Sequence, residues 1–286
     1  MDAGDDAAIL PGGACVTVDS MVEGVHFQTD ADPADLAYKL LAVSVSDVLA
    51  MGALPQWVFM ALSLPETPSE WVDAFAAGFA EACSDWQVHL AGGDTTGSPG
   101  PRFLSATLLG RVPEGRRPWL RSGAQPGDCL VVTGTLGDAG AGWLRESPPG
   151  WARAALDRPR PPIAFVRALP EGAVHAAMDL SDGLATDLPR LCKASSCGAW
   201  VDGAALPASP GVAADPQRLM LQTRGGEDYQ LLLAVPPDAL STVQRVAEQT
   251  STRVTVVGGV REEGGAQLLE GAWPAVRFSH FPGVCE

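Results

Sequence analysis

Apolar residues recur at helical spacing from Asp35 to Met51 and again from Glu70 to Trp86, the second run following a Pro68-Ser69 start. Short apolar runs between turn residues predict strands. Cys15 to Val18 delivers Asp19, Val88 to Ala91 runs into a Gly92-Gly93-Asp94 turn, and Phe103 to Val112 follows. After the turn-rich stretch Arg121 to Asp128, Cys129 to Thr133 reads as a compact strand. Ala176 to Leu180 then leads into a helix starting near Gly183, and Leu231 to Val235 and Thr252 to Val257 read as later strands. Strands and helices alternate in both halves, so the chain is α/β or mixed α+β, without a solenoid repeat. The change in texture near residue 115 divides it into an N-terminal domain, 1–115, and a C-terminal domain, 116–286.

Length supports that division, because 286 residues suit two domains of roughly 100 to 200 residues each. With 46% hydrophobic and 19% charged residues the composition is globular. A formal net charge of −15 argues against nonspecific nucleic-acid binding, which needs lysine and arginine to neutralise phosphates. Six cysteines form no CxxC pair and no zinc-like grouping with the four histidines, so they read as reduced, packed thiols. No charged-then-apolar leader and no membrane-length apolar run is visible, which makes a cytoplasmic enzyme the expectation.

Acidic blocks, several beside glycine, then change the picture: Gly4-Asp5-Asp6, Val18-Asp19-Ser20, Ser46-Asp47, Gly92-Gly93-Asp94-Thr95-Thr96 and Asp179-Leu180-Ser181-Asp182-Gly183. Carboxylates repel phosphate, so acids on flexible backbone suit a phosphate site when hard divalent cations lie between the two. Each block alone has a bland rival. Asp5-Asp6 fits a solvated turn, Asp47 a helix cap or an arginine partner, and Asp179 to Asp182 a helix N-cap. Gly225-Gly226-Glu227-Asp228-Tyr229 fits a strand-entry turn, and Arg121 fits either a phosphate fork or a surface ion pair. Trp273 and Phe278 fit ring stacking or packing on the core. No GxxxxGK[ST] or GxGxxG loop is present, so a nucleotide site must be built another way.

Taken in order, GDDAAIL, DSMVEGVHF, DPADLAYKLLAVSVSDVLAMGA, AGGDTTG, RSGAQPGD, VTGTLGDAGAG, MDLSDGL and GGEDYQL resemble the thiamine-monophosphate kinase family of the aminoimidazole ribonucleotide synthase-like superfamily. The resemblance spans nearly the whole chain. It implies a two-domain fold whose N-terminal domain pairs across a homodimer, with ATP near the subunit interface. It also implies transfer of the ATP γ-phosphoryl group to thiamine monophosphate, assisted by several Mg2+ ions. By resemblance Asp6, Asp19, Asp47, Asp94, Asp179 and Asp182 are metal-binding carboxylates, with Thr17 and the Val18 backbone as further oxygen ligands. Gly93, Asp94, Arg121 and Ser181 match ATP-contacting positions, and His26, Glu227 and Phe278 match substrate-contacting positions. None is identified as a catalytic base.

Two departures stand out. The methionine opens almost directly onto the Gly4-Asp5-Asp6 block, where relatives usually carry a helical segment; its absence or truncation would bear on the nucleotide site and the dimer. Val18 stands where relatives commonly have Thr, which removes a hydroxyl and leaves a backbone carbonyl. The competing readings are an ATP-dependent synthase or ligase of the superfamily, a maturation protein using the penultimate Cys285, and a non-catalytic nucleotide-binding paralogue. The DSMVEGVHF and GGEDYQL blocks favour the kinase, and six candidate metal carboxylates disfavour the degenerate scaffold.

Overall fold

The computed structural model describes residues 4–275. Its first half runs β1 (Ala8–Leu10), β2 (Ala14–Val22), α1 (Pro33–Ala50), β3 (Leu54–Leu64), α2 (Ser69–Trp86), β4 (His89–Gly97) and β5 (Phe103–Arg111). These strands form a five-stranded sheet in the order β1-β2-β5-β3-β4, antiparallel except where α2 returns β4 parallel to β3. The second half runs β6 (Cys129–Thr133), α3 (Asp138–Trp143), α4 (Gly150–Asp157), α5 (Ile163–Ala168), β7 (Ala176–Leu180), α6 (Leu184–Ser195) and β8 (Gly198–Val201). It continues with α7 (Pro210–Ala213), α8 (Arg218–Arg224), β9 (Gln230–Val235), α9 (Leu240–Gln249), β10 (Val254–Arg261) and β11 (Ala266–Leu268). Its six-stranded sheet has the order β11-β8-β10-β6-β9-β7. Among the described residues no helix is long and apolar enough to cross a membrane.

Helix α1 sets the geometry of everything else. Asp32 caps its N-terminus by accepting from the Ala34 and Asp35 amides, and Pro33 occupies the first turn, where no N–H is needed. From Leu36 to Ala50 every residue of the helix except the half-buried Asp47 is buried, as suits a core helix rather than a surface one. It packs on β2, β3 and β5 of the first sheet and on β7 and β9 of the second. One hydrophobic core therefore joins Leu40, Val45 and Leu49 to Phe165, Leu231 and Leu233. A separate core beneath α6 unites Leu184, Leu188 and Leu191 with Leu130, Val132 and Met178.

Alternation assigns the faces of the first sheet. Leu104, Ala106 and Leu108 of β5 point into the core, and Phe103 between strands' solvent-side positions stays exposed. Val18, Trp57 and Phe59 are exposed on the same helix-free face, Val18 and Phe59 both lying opposite Thr107.

Two expectations are corrected. Gly92-Gly93-Asp94 is not a turn: β4 continues through it, pairing with β3 as far as Gly97 opposite Leu64. A Cβ at Gly93 would lie 2.1 Å from the Met60 carbonyl oxygen, so glycine permits close backbone approach between strands there. Asp19 is not the end of its strand either, because β2 pairs with β5 through to Val22 opposite Phe103.

Helices α1 and α2 meet at Gly78, where an added Cβ would fall 2.2 Å from the Ala34 carbonyl oxygen. Gly78→Ala is therefore expected to destabilise the fold by about 1–3 kcal/mol through overpacking against rigid backbone. Chemical denaturation checks this; a variant as stable as the parent contradicts the packing described.

Candidate active site

Three carboxylates from separate parts of the chain converge. Asp6 lies in the bend before β1, Asp47 in the last turn of α1, and Asp179 near the end of β7. Each offers an oxygen, and the three oxygens lie within 4.8 Å of one another. Alternation along β2 turns Thr17 and Asp19 toward α1 and Val18 toward the open face.

Hydroxyl groups hold three of the acids. Thr17 donates to Asp47 at 2.5 Å, Ser44 to Asp19 at 2.6 Å, and Ser46 to Asp179 at 2.8 Å across the junction of the two sheets. Arg121 grips both oxygens of Asp6, at 2.6 and 3.3 Å, while its backbone N–H donates to Asp5. These contacts leave the buried negative charge undercompensated. Burial raises the Asp47 and Asp179 carboxyls well above the usual range, with further contributions from Asp19 for Asp47 and from Asp6 and Asp47 for Asp179. Burial likewise raises Asp19 against the lowering effect of Ser44. A set made only of oxygen donors, crowded and short of positive charge, fits a hard divalent cation such as Mg2+.

A cavity of about 180 Å3 opens beside these acids, lined by Asp19, Asp47, Ser181, Asp182, His26 and Glu227 among others. Asp182 pairs with Arg190 at 2.6 Å instead of joining the three-acid group, and its backbone N–H donates to the buried Asp187. Burial, then the Asp182 charge, pushes Asp187 up to about 8 despite Arg190. His26 accepts from the Val22 amide through Nδ1, so the neutral ring carries its proton on Nε2.

Glu227 sits on a strained loop, with φ of 61° there and 48° at Tyr229. Such left-handed backbone costs about 1–3 kcal/mol at a non-glycine residue and has to be held by its surroundings. The Glu227 amide donates to Ser181 and the Tyr229 amide to Leu180, while buried Asp228 accepts from the Gly137 amide. Lys39 meets one Glu227 oxygen at 2.5 Å and the Tyr229 hydroxyl donates to the other.

Gly93 and Asp94 do not reach this site within one copy. Gly93 shares a row with Met60, Ala106 and Asp19 across the sheet, three strand spacings from Asp19, or about 14 Å. Trp273 packs on the second core and donates to the Ala266 carbonyl, the structural alternative for that ring. Phe278 and Cys285 lie outside the described residues. Sequence reasoning missed Lys39, Ser44, Ser46, Asp187 and Arg190. The signal available for Lys39 was its spacing: Lys39, Val43 and Asp47 fall at i, i+4 and i+8 on one face of α1.

Two family models account for most of the chain: AIR synthase related protein, N-terminal domain, over residues 4–112, and its C-terminal domain over 125–269. The fold is thus that of a two-domain AIR synthase-related protein. Within that class the chain is 43% identical over 249 residues to the thiamine-monophosphate kinase of Salmonella typhimurium, covering 82% of this chain and 75% of the relative. It belongs to the thiamine-monophosphate kinase family. The crystal structure of the Stenotrophomonas maltophilia thiamine-monophosphate kinase superposes with a TM-score of 0.84 at 34% identity, over 95% of this chain and 91% of that one. AaThiL complexed with AMPPCP and TMP superposes at 0.83 with 29% identity, over 96% and 91%.

The raised carboxyls fix the sign of a pH effect. Folded Asp47 and Asp179 hold protons above the ordinary 3.8, so at higher pH the unfolded chain binds fewer protons than the folded one and metal-free stability falls. Asp187 extends the fall toward about 8. In EDTA the melting temperature is expected to decline from about pH 5 to about pH 8, and MgCl2 to restore it. Asp47→Asn should raise the metal-free melting temperature and blunt the Mg2+ response. Scanning fluorimetry across pH checks both; a melting temperature that rises in EDTA over this interval contradicts the electrostatics.

Proposed function

We propose that this chain is a Mg2+-dependent thiamine-monophosphate kinase, transferring the γ-phosphoryl group of ATP to thiamine monophosphate to give thiamine diphosphate and ADP. The convergence of Asp6, Asp47 and Asp179 beside a cavity carries the reading, because it offers several hard-oxygen ligands where phosphate must be held. The sequence and structural likeness to thiamine-monophosphate kinases supports it. Mg2+ held by these three, with Asp19, Asp182, Asp94, Thr17 and the Val18 carbonyl as further ligands, would offset phosphate charge on donor and acceptor. Ser181, Gly93 and Arg121 serve ATP, and His26, Glu227 and Phe278 the acceptor. The acceptor phosphate is already an anionic nucleophile, so the site's task is alignment and charge neutralisation, without a strong general base.

Purified chain with ATP, MgCl2 and thiamine monophosphate is expected to form thiamine diphosphate and ADP in equal amounts, abolished by EDTA. Asp47→Asn and Asp179→Asn should each lower kcat by at least about 100-fold, the scale of losing a group that stabilises transition-state charge. ATP consumption without thiamine diphosphate would overturn the kinase reading in favour of a synthase of the same class.

A homodimer completes the proposal. The helix-free sheet face exposes Val18, Trp57 and Phe59, an apolar surface suited to a second copy. In that dimer Gly93 and Asp94 act on the partner's site, which accounts for their separation from Asp19 within one copy. Co-refolding inactive Asp47→Asn and Asp94→Asn chains tests this. Half of randomly paired dimers are mixed and have one whole site, so activity should return to about a quarter of the parent's. Activity that stays at background would show that Asp94 and Asp47 serve the same copy.

A further inference from the structure

We propose that Lys39 is the cation that receives the phosphate of the acceptor, an assignment that rests on the kinase reading. Two cavities meet at this residue. One, of about 180 Å3, is the acid-lined chamber containing Asp19 and Asp47. The other, of about 320 Å3, has Phe27, Trp143 and Leu156 in its walls together with the charged Arg145, Arg153 and Asp157. His26 and Lys39 line both. An acceptor made of an organic body joined to a phosphate has the same two-part character. Its body suits the larger cavity, which offers aromatic and apolar contacts among polar ones, and its phosphate must face the acids where transfer occurs. The junction between body and phosphate then falls at Lys39.

Charge leads to the same residue. A phosphate entering the smaller chamber meets Asp19, Asp47, Asp182 and Glu227, and Lys39 is the sole lysine or arginine among the described residues lining it. Its ammonium group is only 7% exposed at the side chain and lies 2.5 Å from Glu227. An ammonium carries three N–H donors, so this ion pair leaves donors for phosphate oxygens. Glu227 is held from its other side by Tyr229 and set on a strained loop tied to Ser181 and Leu180, which fixes the point where the ammonium rests. Lys39 and Asp47 stand two turns apart on one face of α1, so a rigid element sets the distance between the ammonium and the acid cluster. Glu227 thus acts as the anchor of Lys39 as well as a group facing the acceptor.

Calorimetric binding of thiamine monophosphate, thiamine and ATP in MgCl2, to the full chain and its Lys39→Met and Lys39→Arg variants, tests the assignment. Loss of a charge-assisted phosphate contact predicts that Lys39→Met binds thiamine monophosphate about 10- to 100-fold more weakly. Thiamine and ATP should bind as to the parent, and Lys39→Arg should recover part of the loss. Equal weakening of thiamine and thiamine monophosphate would show that Lys39 acts only through Glu227 or the fold, and overturn the assignment. Unchanged thiamine monophosphate binding in Lys39→Met would overturn it too, while leaving the kinase reading intact. If the parent chain binds no thiamine monophosphate, the kinase reading fails and the assignment falls with it. Should the methionine variant unfold, Lys39→Gln carries the same comparison.

Discussion

The burial of α1 between two sheets is the constraint on which the site depends. A helix enclosed on all sides cannot rotate or slide without opening the core, so the position of Asp47 is fixed by packing far larger than the site itself. The Ser46 to Asp179 hydrogen bond shows the effect locally, joining residues 133 positions apart in the buried junction. Folding the two halves onto one helix is what converts acids scattered through the sequence into a group within 4.8 Å.

That convergence works against stability. Buried carboxylates repel one another, and hydroxyl donors from Thr17, Ser44 and Ser46 offset only part of the cost. Arg121 pairs with Asp6 of the central group, while Arg190 on Asp182 and Asp187 and Lys39 on Glu227 stand around it. Local charge therefore falls into an acid-rich centre suited to metal ions and a rim where fixed cations can meet phosphate. The net charge of −15 and a phosphate-handling site are compatible for this reason.

Much of the scaffold was legible because its pattern is local. Cys129–Thr133 and Ala176–Leu180 coincide with observed strands, and both long helices lie within two residues of their expected limits. Strand β3 was not foreseen: its exposed Trp57 and Phe59 blur the inside and outside positions that normally reveal a half-buried strand. Glycine misled at Gly92-Gly93, where the missing side chain serves strand contact rather than a turn. The acids were nameable from their blocks, but their grouping was not. Nothing local tells that Asp6 accepts Arg121 or that Lys39 on α1 meets Glu227, because those contacts exist only after the two halves close on the helix.

Crystals of the full chain soaked with MnCl2 and a non-hydrolysable ATP analogue decide whether the three converging acids hold metal. An anomalous-difference peak is expected among Asp6, Asp47 and Asp179, coordinated by at least one oxygen of each. An ordered nucleotide with its metal elsewhere and no peak at those three carboxylates would contradict this expectation.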